Sequence, residues 1–167
     1  IFIEHNGLDL PTVTVVVTSI EIEGLWDTGQ MRDPIRTVVF TLFVFHPRRP
    51  SEGYRVDRDF AIMLSEWRID PGTSRPNPNE MSDFNVLTMN ARAYPGTEPL
   101  VTKVGDRVRI RFGNLSAMDH HPIHLHGHFF KITATDGGQI PQSAQWPESM
   151  VLVPVGSTRD VELIADA

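Results

Sequence analysis

The stretch Arg107-Val108-Arg109-Ile110-Arg111-Phe112 alternates cation and apolar side chain without a fault. A period of two belongs to an extended strand, whose successive side chains point to opposite faces. A helix would scatter these residues around its axis. Val161 and Leu163 alternate with Asp160 and Glu162 in the same way. Similar short runs recur along the chain, rich in Val, Ile, Thr and Phe and bounded by Gly, Pro, Asn and Asp. They predict strands over 12–22, 37–45, 59–67, 85–89, 107–113, 123–133, 149–152 and 158–164. Few stretches carry a helical period. Many short strands separated by Gly/Pro turns point to an all-β sandwich or barrel. One phase of the strands supplies the expected core: Val86, Leu87, Val108, Ile110, Leu125, Phe129, Ile132, Val161 and Leu163, with Met63 and Trp67. The three arginines are expected on a solvated face, as are Asp57, Asp59 and Glu66.

One segment, 70–83, carries Pro71, Gly72, Pro76 and Pro78 among Asn and Ser, a composition that joins domains more often than it builds them. It divides the chain into an N-terminal segment, 1–69, and a C-terminal domain, 84–167. The chain opens Ile1-Phe2-Ile3, with neither an initiating Met nor a signal peptide, and closes Ile164-Ala165-Asp166-Ala167. It is expected to be a piece of a longer polypeptide.

A net charge of -6 argues against a nucleic-acid partner, which would demand clustered Lys and Arg. No apolar run approaches the roughly 20 residues of a membrane helix, so no membrane partner is expected. The chain has no cysteine, which removes disulfides, thiolate ligands and thiol catalysis from its own chemistry.

Five of the seven histidines fall between 120 and 128, in the run His120-His121-Pro122-Ile123-His124-Leu125-His126-Gly127-His128-Phe129-Phe130. Neutral imidazole is the commonest protein ligand for transition metals, and a cluster this dense is hard to explain by packing. On one continuous strand, His124, His126 and His128 would share a face, about 7 Å apart in succession. That spacing suits two adjacent ions better than one. Pro122 fixes a bend that can turn His121 toward a different centre. Gly127 would leave room for a close neighbour. His5 and His46 are isolated and read as surface residues.

Three further stretches frame this block: Met89-Asn90-Ala91-Arg92-Ala93-Tyr94-Pro95, Val104 to Arg111, and Val153 to Val161. Together with H-P-x-H-L-H-G-H over 121–128, they resemble the last cupredoxin domain of laccase-like multicopper oxidases. Residues 4–12 and Phe45-His46-Pro47-Arg48 resemble, more loosely, the opening and closing of that family's first domain. The resemblance implies a cupredoxin-like Greek-key β-sandwich or barrel. It implies copper as cofactor, with His121 matching a type 1 ligand, His124 a type 2 ligand and His126 a type 3 ligand. His128 matches a position that is usually not a ligand. It also implies a parent enzyme that oxidises phenols, amines or metal ions while reducing oxygen to water, and an extracellular or periplasmic location.

The chain departs from the family pattern in one respect above all. Four histidine-rich blocks belong to the family and one is present here. A blue site with His₂Cys ligation cannot form from this chain alone. The sequence therefore carries partial ligand sets, and the chain by itself is expected to lack turnover. Two other readings compete: a non-catalytic cupredoxin module holding copper or zinc, and a structural remnant with inherited histidines. In either metal-binding reading the partner is a metal ion. Missing ligands would come from the rest of the polypeptide or from a homo-oligomer partner. A cupin would also present H-x-H on a strand, but the acidic residue expected next is replaced by Phe129-Phe130-Lys131-Ile132.

Overall fold

The computed structural model describes residues 13–19, 39–45 and 53–166. His5, His46 and the segments likened to the first domain of the family at 4–12 and 46–48 lie outside them. Among the described residues the chain is all β, with one short 3-10 turn at Gln142–Ala144. The strands are β1 (Val13–Ser19), β2 (Val39–Phe45), β3 (Arg58–Trp67), β4 (Val86–Met89), β5 (Arg107–Asn114), β6 (His121–His124), β7 (Phe130–Thr135), β8 (Gly138–Gln139), β9 (Pro147–Glu148), β10 (Met150–Val153) and β11 (Thr158–Ile164). β1 and β2 form an antiparallel pair of their own.

The larger sheet runs β4-β3-β5-β11-β7-β8, with β9 also on β7. β11 returns over a long connection to lie between β5 and β7, the kind of crossover the expected Greek key requires. β6 and β10 make a second, two-stranded sheet. The two sheets face one another across a core of Ile62, Leu64, Val108, Ile110, Phe112, Phe130, Val151, Val153 and Val161. The result is the expected cupredoxin-like β-sandwich.

Asp-Gly at 136–137 sits between β7 and β8 with φ of 49° and 80°, the pair of positive values that a type I′ hairpin demands. Asn90 and Ala91 follow β4 with φ of 52° and 62°. The Asn90 amide then staples that turn to β3: its Oδ1 accepts from Met63 N at 2.8 Å and its Nδ2 donates to the Ala61 carbonyl at 3.1 Å.

The arginines of β5 overturn the expectation of a solvated face. Their flank is covered by residues 54–59 and by the carboxylates of β11. Arg109, with 4% of its side chain exposed, donates to Glu162 at 2.6 Å and to the Tyr54 carbonyl, and its guanidinium lies 4.6 Å from the Tyr54 ring centre. Arg107 shares Glu162. Arg111 forks onto both oxygens of Asp59 at 2.7 and 2.8 Å and reaches Asp160 at 2.7 Å. Burial acts to lower the Arg111 pKa, but Asp59 and Asp160 outweigh it and leave the group raised. Strand register causes this arrangement. Asp160 stands opposite Arg111 and Glu162 opposite Arg109, while Asp59 of β3 flanks Arg109 from the other side. Alternation told that the two faces differ; it did not tell that both are covered.

Glu66 is likewise buried, where a solvated position was expected. Its Oε1 accepts from the Met118 and Asp119 amides at 2.6 and 3.3 Å, fastening the loop that leads into β6. The core expectations divide. Val108, Ile110 and Val161 are buried, as is Met63. Leu125, Ile132 and Leu163 pack at its margin. Leu87 and Phe129 are exposed, and Phe130 takes the core position instead.

Residues 70–83 join β3 to β4, which pair antiparallel in one sheet, and β3 also pairs with β5. Side chains hold this hairpin loop. Asn85 and the Ile69 backbone bond reciprocally, and Arg68 bridges Asp70 and Asp83. Glu80 Oε1 accepts from the Ser82 and Asp83 amides, which pull its pKa down from 4.5 to about 2. A depressed carboxyl contributes stability above its unfolded value, and that contribution is lost as pH falls through the folded one. Protection of the Ser82 and Asp83 amides, relative to their intrinsic exchange at each pH, should therefore fall between pH 4.5 and about 2. Glu80→Gln should flatten that dependence; an unchanged profile in the variant would discard the explanation.

Candidate metal centre

The histidine block does not form one strand. Residues 123–133 were expected to run on continuously, but pairing stops at His124 and resumes at Phe130, on the other sheet. Gly127 sits in the intervening turn with φ of 78°. A Cβ built there would meet no described atom within 4 Å, so the glycine serves backbone conformation, not a close neighbour. The break explains Phe129: it belongs to the turn and faces solvent.

Within β6, His121 and His124 are an odd number of residues apart and so face opposite ways. His121 and Ile123 turn inward, toward buried Val151 and Val153; Pro122 and His124 turn outward. The His121 Nε2 lies 2.5 Å from Ser116 Oγ. Ser116 is itself buried, and its amide donates to Asn114 Oδ1. Asn114 in turn donates to the Val153 and Asp119 carbonyls. This polar knot fixes the loop that delivers His121.

His124 Nδ1 lies 2.7 Å from the Ser149 carbonyl. A carbonyl only accepts, so Nδ1 bears the proton and the neutral ring keeps its Nε2 lone pair for a ligand. The turn carries His126 back beside it, with ring centres 4.9 Å apart and planes at 67°. His128 is engaged elsewhere: its Nε2 donates to the Asp166 carbonyl at 2.6 Å. His120 Nδ1 accepts from the Val155 amide. The structure thus brings His124 and His126 together on the outer side and holds His121 apart from them on the inner side. Ser116 and Ser149, which orient the rings, carry no distinguishing sequence signal; they are known only from the fold.

The donor chemistry fits copper or zinc in part. Two exposed imidazoles, one with its tautomer fixed, form the beginnings of a coordination sphere. Among the described residues, no three of His, Cys, Asp and Glu converge as a metal cage.

The order of strands, the sandwich and the histidine-bearing strand together define a cupredoxin-type unit. The multicopper oxidase family model matches residues 70–167, and the chain belongs to the multicopper oxidase family. A multicopper oxidase of Mycobacterium tuberculosis is 37% identical over 79 residues, spanning 47% of this chain and 14% of its own length. Laccase-6 of Arabidopsis thaliana is 31% identical over 103 residues, spanning 53% of this chain and 18% of its own. Among solved structures, the blue copper oxidase of Nitrosomonas europaea aligns with a TM-score of 0.63 and 29% identity, over 78% of this chain and 41% of that one. The multicopper oxidase mgLAC aligns with a TM-score of 0.64 and 31% identity over the same shares. The chain therefore covers well under half of each of these relatives.

Proposed function

We propose that this chain is the copper-binding cupredoxin portion of a laccase-like multicopper oxidase, with incomplete copper sites of its own. The observation that supports the reading best is the division of histidines by one short strand. His121 goes to the inner side and His124 to the outer, with His126 folded back beside His124. A chain serving a single ion has no use for opposite faces; one contributing to separate centres does. His121, His124 and His126 are the proposed ligands, and copper is the proposed metal, with zinc as the non-redox alternative.

In the complete enzyme, bound copper would accept electrons from a phenol, an amine or a metal ion and pass them to oxygen. This chain's residues orient the imidazoles. Ser149 fixes the tautomer of His124, Ser116 holds the His121 ring, and Glu66 anchors the loop before β6. The remaining ligands would come from the rest of the polypeptide or from a homo-oligomer partner. The C-terminal cupredoxin unit is proposed to extend back to β3, with the N-terminal segment belonging to a partial first domain. The family likeness favours an extracellular or periplasmic site of action.

Cu(II) titration separates this reading from a structural remnant. Wild type should bind, and His124→Ala/His126→Ala should weaken binding by about tenfold or more, since ligand loss exceeds even the loss of an outer-shell partner. Equal binding by the two proteins would leave the histidines as inherited ornament and sink the reading.

A further inference from the structure

Two of the three proposed ligand rings have an orienting partner of their own. Ser116 Oγ lies against His121 Nε2, and the Ser149 carbonyl takes the Nδ1 proton of His124. Among the described residues the His126 ring has no hydrogen-bond partner; its one ring contact is the edge-to-face approach to His124. Metal-binding imidazoles are almost always oriented through their second nitrogen. The placement of His126 must therefore come from its backbone.

That backbone has few constraints. Before the turn, Leu125 N donates to the Ser149 carbonyl at 3.0 Å. After it, pairing resumes with Phe130 opposite Glu148. Between them Gly127, at φ 78°, lacks the side chain that would narrow its choice of conformations. Among the described residues one hydrogen bond ties 126–129 to the rest of the molecule: His128 Nε2 donates to the Asp166 carbonyl at 2.6 Å. A carbonyl only accepts, so Nε2 carries the proton. The exposed Asp166 carboxylate adds a longer contact at 3.3 Å. The far end of this clasp is firm. Asp166 follows Ala165, whose N donates to the Asp106 carbonyl at 2.9 Å and whose carbonyl accepts from Gly105 N at 2.7 Å. β11, which ends there, lies inside the large sheet between β5 and β7.

We infer that His128 is a positioning residue for His126. Its imidazole binds no metal. It clasps the turn that leaves the small sheet to the end of a strand inside the large one, and so sets where the His126 ring stands beside His124. The inference rests on the reading of His126 as a ligand and adds to it the residue that holds that ligand in place. The third histidine of the H-x-H-x-H run is thereby assigned a use that neither packing nor ligation supplies.

The test uses the full chain. In the metal-free protein the ring protons of His124 and His126 should show a nuclear Overhauser contact. In mildly alkaline solution the ring nitrogen shifts of His128 should report the proton on Nε2. His128→Leu removes the donor and should abolish the ring contact. It should also weaken Cu(II) binding by about tenfold or more, while His128→Gln, whose amide N–H stands near the place of Nε2, should restore the contact and bring binding within about twofold of wild type. A bond that only stabilises the fold would lower the urea midpoint of His128→Leu and leave the ring contact and Cu(II) affinity of the folded variant unchanged. That result would overturn the inference and leave the ligand reading standing. A proton on Nδ1 of His128 in wild type would overturn it too, and that measurement does not require the leucine variant to fold. Loss of the ring contact in His128→Leu, with Cu(II) binding indifferent to His124→Ala/His126→Ala, would instead remove the ligand reading, and with it the use of the clasp.

Discussion

Glu162→Ala should cost the fold about 3–5 kcal/mol, the loss that follows when one partner of a buried ion pair is removed. Glu162 receives Arg109 and Arg107, each at 2.6 Å, and both it and Arg109 are almost wholly covered. Removing it leaves the Arg109 guanidinium with the Tyr54 carbonyl and a long contact to Asp59 at 3.4 Å. A buried cation without its anion is the expensive outcome. The more exposed Arg58–Asp106 pair offers an internal control, and Arg58→Ala should cost less than about 1 kcal/mol. Urea unfolding of the three proteins measures both values. A Glu162→Ala loss no greater than that of Arg58→Ala would mean that water reaches the arginine face.

The second large effect separates two adjacent phenylalanines. Phe130→Ala should destabilise by about 3–5 kcal/mol, because Phe130 is 3% exposed and packs in the inter-sheet core. Phe129→Ala should stay within about 0.5 kcal/mol, because Phe129 is 71% exposed. Thermal or denaturant unfolding distinguishes them directly. Comparable losses at the two positions would place the strand boundary elsewhere than after Phe129.

These two cases also show where the sequence was legible. The strands of the large sheet were readable because hydrophobic patterning is a local property: β5 and β11 alternate openly, while β3 is a short continuous apolar run buried on both faces. Sequence reasoning also singled out the three histidines that the fold distributes between the inner and outer sides of β6. The phase error at Phe129 arose because 123–133 was read as one strand. Gly127 was the available signal: a glycine inside a strand pattern can be a break needing positive φ as readily as a space for a neighbour. The arginine face was misjudged for a different reason. Its carboxylate partners lie about 50 residues away, and only the register brings them opposite. A signal did exist, since Asp160 and Glu162 alternate in phase with Val161 and Leu163 and match three cations with acids. Glu66 had no such mark; its role depends wholly on which loop lies beside it.

The parallel pairing of β3 with β5 has a consequence for how such a domain can change over evolutionary time. The two strands are joined through β4 and the loop over 90–106, so that Arg58 pairs with Val108. Loop-closure entropy grows only logarithmically, and doubling the connecting length costs about 0.6 kcal/mol. Insertions between β4 and β5 are therefore cheap. A slip of one residue in β5 is not: it would carry Arg107, Arg109 and Arg111 into the hydrophobic interior and expel Val108, Ile110 and Phe112. Length in that connection is free to drift, while register is held by every residue of the strand at once.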